Sequence, residues 1–382
     1  MSLNKKQSSD KLSTPAAERA RIRRRWHRGT VGHVFTVIGT ILLALIVLVV
    51  MVLNQFFNGP SPAASDFGVQ TLHQSSALKF VPYLFLFEHV QEALDRGEVV
   101  SGGEETNATL VNVAGRTKKD YGTGAENTDT DARGTGDETP VGMPDADKFD
   151  ENGIYIEDVY GATFHGYMMV VRDPAQVSLA TCSTRFTKER AGKRVDEMMR
   201  EYGAVAVMNG GAFNDPNGGG NGGLAEGLVF SQGRYMNHAS GTYKVVAGFD
   251  QNDILHVGSF TKEQAEKLGL RDACAFGPAL IVNGVPSVAK DKGLNPRSAI
   301  GQRADGAVLL LVIDGRQANS MGATIEDVIN VMLSYGAVNA CNMDGGSSTT
   351  MYYGDDKIND GMTVSVSRKM ATAWIVKGAG AR

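Results

Sequence analysis

The sequence predicts an α+β fold: one ectodomain of mixed β-sheets with flanking helices, preceded by a single N-terminal transmembrane helix. Three observations carry this reading. Residues 34–53 form an uncharged, almost wholly apolar run, and about 20 such residues cross a bilayer as a helix. From Phe149 onward the chain breaks into short apolar runs. Asn283-Gly284 and Asp305-Gly306 each sit between two of them, the strongest short-range mark of a hairpin. Two further stretches of the same region repeat their apolar residues at helical spacing.

Taken in order, residues 1–33 are a basic tail with Arg19, Arg21, Arg23, Arg24, Arg25 and Arg28. Few positive charges follow the span at 34–53, so the tail is expected in the cytoplasm and the C-terminal part outside the cell. A cleaved signal peptide is the rival, with Pro62-Ala63-Ala64-Ser65 as its cleavage point. Its apolar core is usually shorter, roughly 7–15 residues, so an uncleaved anchor is the expectation. Residues 54–100 are a juxtamembrane segment with an apolar stretch at 77–94, and a helix is expected to begin near Pro82. That helix would lie on the outer membrane surface, self-associate, or dock on the ectodomain. Residues 101–148 are rich in Gly, Thr, Asp, Glu and Asn, without apolar periodicity. They read as a disordered polar linker, because such a composition buries too little surface to fold. Residues 149–382 are the folded domain.

The two helical stretches end alike. Residues 187–202 place Ala191, Val195, Met198, Met199 and Tyr202 on one face, and residues 324–335 do the same with Ile325, Val328, Ile329, Met332 and Leu333. Thr324 with Asp327 forms a capping box, and Gly336 stops the second helix. The first runs through Gly203 into an apolar strand ending Met208-Asn209-Gly210-Gly211. The second runs through Gly336 into one ending Met343-Asp344-Gly345-Gly346. A third apolar run, 308–313, ends in Asp314-Gly315-Arg316. One Asp-Gly alone is ordinary turn chemistry. Three strand ends with one grammar predict a shared pocket, since ligands often bind beyond strand ends. The 342–351 stretch is the most informative: Asp344 stands where a rigid strand meets two glycines, which admit close backbone approach by a ligand, and the hydroxyl cluster of Ser347, Ser348, Thr349 and Thr350.

The bulk properties narrow the chemistry. A net charge of −4 over 382 residues argues against a nucleic-acid partner. Cys182, Cys274 and Cys341 contain no Cys-x-x-Cys, so zinc ribbons and thioredoxin-type chemistry are not expected. Free buried thiols are the favoured reading and a disulfide the alternative. No transition-metal cluster is evident. The glycine-rich loop at 214–223 reads as a flexible lid; Ca²⁺ on its Asn and Asp oxygens is the less favoured reading, because the full acidic loop pattern is missing. No Gly-Lys-Ser/Thr follows that loop, which removes a P-loop, and no Gly-x-Ser-x-Gly elbow occurs. His165 and His238 are isolated and read as non-catalytic.

With these pieces assembled, the chain resembles the phosphodiester glycosidase family over roughly residues 155–378. The resemblance is carried by Asn209-Gly210-Gly211-Ala212-Phe213, Glu226-Gly227-Leu228-Val229, Gly277-Pro278-Ala279-Leu280, Asn295-Pro296-Arg297-Ser298-Ala299-Ile300-Gly301, Asp314-Gly315-Arg316 and the Asp344 segment. The layout is similar to membrane-anchored bacterial members. Ser347 departs from the glycine expected at its position. The resemblance implies cleavage of a sugar from a phosphodiester at the anomeric carbon, in cell-envelope glycopolymers or exopolysaccharide. Asp344 is then the first choice for nucleophile or base, with Glu226 or Asp314 as second carboxylate. Arg297 is expected to bind phosphate through its guanidinium fork, with a structural Arg–carboxylate pair as the alternative. Arg316 is a second phosphate candidate or an orienting partner for Asp314. Asn209 and Ser348 are expected to hydrogen-bond sugar or phosphate, beside the backbone of Gly210, Gly211, Gly345 and Gly346. Retaining and inverting routes both remain open, because sequence gives no carboxylate separation. The rivals are a non-catalytic glycan-binding or exopolysaccharide assembly protein, and a phosphodiesterase that breaks the P–O bond.

Overall fold

The structure is a computed structural model that describes residues 15–75, 78–86, 88–103, 105–113, 144, 146–236, 245–359 and 368–380. The chain divides into two compact units, Met1–Pro60 and Ser61–Arg382. Within the first, α1 (Pro15–Asn58) is one helix. Its stretch Val31–Asn58 has the length and composition of a membrane span or of a signal sequence, and its most apolar 18-residue window is not buried. It contains the predicted run 34–53.

The second unit opens with α2 (Pro62–His73), α3 (Val81–Leu86) and α4 (Val90–Arg96). Ser61 caps α2 by accepting the Ala64 N–H, and Pro62 takes the first helical position. The helix expected near Pro82 is present as two pieces. Gln70, buried in α2, donates to the Ala93 carbonyl at 2.9 Å, and Arg96 binds Asp66 through two hydrogen bonds. Gln70 Oε1 also accepts the Lys292 N–H and Gln74 Oε1 accepts from Arg297, so α2 is docked on the domain.

The polar stretch from 101 departs from the expected linker over its first part. Asn107 donates its N–H to Asn283 Oδ1 at 2.6 Å, and Asn283 Nδ2 donates to the Glu105 carbonyl. Thr106 Oγ1 accepts the Val257 N–H, and Asn112 N–H reaches the Ala304 carbonyl. Composition misled here because the segment is held by hydrogen bonds to the domain and needs little apolar surface of its own; among its described residues Val111 is the one buried apolar side chain. Residues 114–143 lie outside the described residues, as does His238.

The domain carries α5 (Val195–Glu201), α6 (Lys262–Leu268) and α7 (Ile325–Ser334) around antiparallel sheets. A seven-stranded sheet runs Val285–Pro286, Ala279–Val282, Ala337–Met343, Arg297–Arg303, Val308–Ile313, His165–Val171, Ile154–Tyr160. A five-stranded sheet runs Asp356–Lys357, Met351–Tyr353, Ala204–Asn209, Thr372–Lys377, Val177–Thr181. A second five-stranded sheet is built on Leu270–Ala275, Val245–Asp250 and Leu255–Ser259. The described strand pairings are all antiparallel, so the sheets are not mixed in direction.

Local signals were obeyed where nothing distant competed. Asn283 and Gly284 both take positive φ (57° and 77°) in the two-residue turn that pairs Val282 with Val285. Thr324 caps α7 by accepting the Asp327 N–H, while Asp327 Oδ2 accepts the Thr324 N–H. The helix buries Val328 and Met332 against the seven-stranded sheet, each contributing roughly 1.5–3 kcal/mol. The other predicted helix, 187–202, begins only at Val195. Residues 187–193 are instead claimed by long-range backbone bonds: Thr187 N–H to Gly223 O, Gly192 N–H to Asn221 O, Lys193 N–H to Met370 O. The main core lies between the sheets. Trp374 packs edge-on against Phe249 and donates its Nε1–H to Met343 Sδ, directly behind the strand that ends in Asp344.

Candidate active site

The strand Ala337–Met343 ends beside Arg297–Arg303, with Ser298 opposite Met343. The strand Ala204–Asn209 belongs to the other sheet, where Asn209 lies opposite Ala373. These two strand ends meet. Asn209 Nδ2 donates to the Asp344 carbonyl at 2.5 Å, and the Asp344 N–H reaches the Gly210 carbonyl at 3.2 Å. Asn209 Oδ1 accepts from Ser298 Oγ at 2.8 Å and from the Thr350 N–H at 3.1 Å. Asn209 is therefore wholly committed to fixing the Asp344 turn, and it is fully buried. Gly210 and Gly211 serve the same junction. A Cβ on Gly210 would stand 2.5 Å from Thr372 Oγ1, and one on Gly211 2.5 Å from the Ala275 carbonyl. They permit close approach of sheets, where close approach of a ligand had been expected.

A cavity of about 450 Å³ opens at this junction, lined by Asp344, Gly345, Gly346, Arg297, Arg316 and Arg368 among others. Asp344 is surrounded by protein yet keeps some solvent contact through the cavity. Burial pushes its carboxyl up to about 6, against the Ser348 hydroxyl, the Arg368 charge and the Gly345 N–H, with Asp215 pushing it further up.

Arg368, which nothing in the sequence marked, is the cation facing Asp344. It grips Asp215 with two hydrogen bonds of 2.8 Å and lies 4.9 Å over the Phe213 ring. Asp215 lines the same cavity. Its burial would raise it, but Arg368 and the Gly220 N–H outweigh burial and hold it below the usual carboxylate range. One cavity thus contains two carboxyls displaced in opposite directions. Asp215 belongs to the glycine-rich loop singled out as a lid or Ca²⁺ site, and it is that loop's one carboxylate. Among the described residues no group of three or more His, Cys, Asp or Glu gathers as a metal site would require.

Arg297 reaches the cavity wall but is bound on several sides. It donates to Asp291 Oδ2 (2.9 Å), Gln74 Oε1 (2.9 Å), Gly293 O (3.0 Å) and Ala323 O (3.0 Å). This is a buried Arg–carboxylate pair with a carboxylate six positions upstream, locked further by Gln74 from a distant segment. Arg316 also lines the cavity and donates to Asn295 Oδ1 and the Gln74 carbonyl. Glu226 accepts from Asn214 Nδ2 at 3.0 Å and is not part of the cavity wall. Asp314, buried, accepts from Asn359 Nδ2 at 2.9 Å behind the Thr349 turn and is likewise not in that wall. Of the three predicted strand ends, two converge and the third supports from behind. His165 is engaged with Asp158 at 2.6 Å and stacked by Tyr160, away from this wall.

Three contributors were not named as site residues from the sequence, although Asn342 opens the stretch singled out there. His73 and Gln74 arrive from the end of α2. Burial lowers the His73 imidazole, with Lys79 adding to it. Asn342 lines the cavity one residue before Met343, and its Oδ1 is buried with no protein partner, an acceptor lost in stability terms unless something else occupies it.

Residues 202–377 match the sequence profile of the phosphodiester glycosidase family. Over 107 residues the chain is 38% identical to the SPbeta prophage-derived uncharacterized protein YomE of Bacillus subtilis (strain 168). That match covers 26% of this chain and 17% of YomE, so the chain spans well under a fifth of that relative's length. Among solved structures, the zebrafish N-acetylglucosamine-1-phosphodiester alpha-N-acetylglucosaminidase catalytic domain, auto-inhibited by its pro-peptide, aligns with a TM-score of 0.49 at 18% identity, covering 59% of this chain and 82% of that one. A hypothetical protein from Synechocystis aligns with a TM-score of 0.43 at 15% identity, covering 58% and 61%. The stretch that carries Asp344 thus lies within the part of the chain, residues 202–377, that matches the phosphodiester glycosidase family.

Proposed function

We propose that this protein is a membrane-tethered glycosidase that hydrolyses sugar-1-phosphodiester linkages, of N-acetylglucosamine-1-phosphate type, in envelope glycopolymers or exopolysaccharide. Its N-terminus is cytoplasmic and its catalytic domain extracellular in this reading, which rests on the arginines before α1 and the apolar span within it.

The observation that carries the chemistry is a carboxyl with a raised pKa, Asp344, facing the Arg368 guanidinium across one cavity. Attack at the anomeric carbon breaks the C–O bond and releases a phosphate monoester. That leaving group is already a stable anion, so strong general-acid help is less needed than for ordinary glycosides. What the reaction needs is a cation where charge accumulates, and Arg368 with Arg316 supplies it. Asp344 acts ionised, as nucleophile or as base for water. Ser348 stabilises its charged form, while Asn209 fixes its backbone. Asp215 holds Arg368 in place.

The test is hydrolysis of an N-acetylglucosamine-1-phosphodiester by the full chain in ¹⁸O-water. Label in the sugar supports the glycosidase. Label in the phosphate replaces it with a P–O-cleaving phosphodiesterase. Glycan binding without turnover replaces it with a binding or assembly protein. The anomeric configuration of the first-formed sugar then separates attack by Asp344 from activation of water.

A further inference from the structure

The second unit presents a run of apolar side chains that the site chemistry does not use. Leu78, Phe80, Tyr83 and Leu84 are 46%, 56%, 40% and 69% exposed, within seven consecutive positions, while Pro82 and Leu86 are buried beneath them. A clustered apolar face of this kind marks an interaction surface more often than chance exposure. The charge of the segment points the other way, since Lys79 lies near enough to His73 and Asp215 to lower both.

The element is firmly attached to the cavity. His73 lines it and packs its ring 6.4 Å from that of Tyr83. Gln74 accepts from Arg297 and Arg316, Gln70 accepts the Lys292 N–H, and Thr71 accepts the Leu294 N–H. Its apolar face therefore cannot turn inward without breaking those bonds. The chain itself names the occupant. The apolar helix ends at Asn58, α2 begins at Pro62, and α3 follows at Val81. With α2 helical, that connection spans at most a few tens of ångströms. Aromatic and leucine side chains on such a face suit the headgroup boundary of a bilayer.

We propose that residues 78–84 are a bilayer-docking surface, seating Phe80, Tyr83 and Leu84 in the membrane interface and holding the His73 edge of the cavity beside it. The inference rests on the reading of α1 as an anchor. A phosphodiester displayed at the membrane surface then reaches the cavity without crossing open solvent.

The experiment uses the full chain in phosphatidylcholine vesicles containing acyl-brominated lipid. An environment-sensitive fluorophore is placed on Leu84→Cys, with Tyr160→Cys as exposed reference and Ala44→Cys in α1 as anchor reference. The three native thiols are buried, and burial raises each of them, Cys182 to about 11 and Cys341 to about 12, so they resist labelling. Quenching at Leu84 several-fold above that at Tyr160 supports the docking surface. Quenching at Ala44 with none at Leu84 overturns it and leaves the anchor standing. Quenching at neither overturns both. A Leu84 signal that follows protein-to-lipid ratio and ignores brominated lipid assigns the face to a second copy of the chain, and so also overturns it.

Discussion

Two helix–glycine–strand units, α5 with Ala204–Asn209 and α7 with Ala337–Met343, are nearly the same in local grammar and opposite in use. Each delivers a polar side chain and two glycines to one junction. Asn209 is sealed there, with both faces of its amide bonded. Asp344 keeps its carboxyl in the cavity, at a pKa raised to about 6. The difference follows from charge. A neutral amide inside a protein is fully satisfied by a few hydrogen bonds, whereas a carboxylate stays costly to desolvate even with partial compensation. The sealed end therefore carries Asn, and the end that opens on the cavity carries Asp.

The largest way to break this comparison is Asp344→Asn, which makes the two ends chemically alike. Turnover of the sugar phosphodiester is expected to fall by about 10³-fold or more; a variant within tenfold of wild type would remove Asp344 from the mechanism. The same substitution should stabilise the fold at pH 8. The folded carboxyl titrates near 6 against 3.8 unfolded, so the native state binds the extra proton between those values. Wild-type stability therefore falls as pH rises from about 4 to 6, by at most about 3 kcal/mol. Thermal melts at pH 4 and pH 8 should show that loss in wild type and not in the variant.

The two arginines sharpen the comparison next. Arg368→Ala should cost on the order of 10²-fold in kcat/KM with a modest change in stability. Arg297→Ala leaves Asp291 buried without its partner and should cost about 3–5 kcal/mol in urea unfolding. If Arg297→Ala unfolds at the wild-type midpoint while losing phosphodiester affinity, their roles are the reverse of those drawn above. At the sealed end, Asn209→Ala should destabilise by roughly 2–4 kcal/mol through its lost bonds and lower kcat more than it changes KM, because Asp344 loses its backbone tether. The smallest effect is expected for Glu226→Gln, whose carbonyl still accepts from Asn214: activity within about threefold of wild type. A loss approaching that of Asp344→Asn would return Glu226 to the catalytic pair.

What could be read along the chain was what local chemistry dictates. Thr324 and Asp327 cap α7 because they are three residues apart. Asn283-Gly284 makes a hairpin because both residues accept positive φ. Asp344 stood out because a carboxylate at a strand end followed by two glycines is informative within ten residues. The start of α5 was misjudged because bonds to Gly223 and Met370 outcompete helical spacing at 187–193.

By itself, the sequence determined the α+β character, the apolar helix near its start, and Asp344 at the head of the Asn342–Met351 segment. Only the tertiary structure decided that Gln74 joins in locking Arg297, that Arg368 and Asp215 occupy the cavity in place of Asp314 and Glu226, and that α2 closes one side of it. The reason is distance along the chain. A cap or a turn is settled by neighbours, but the partner of a buried charge is chosen by whichever segment the fold brings within hydrogen-bond reach, and 153 positions separate Arg368 from Asp215.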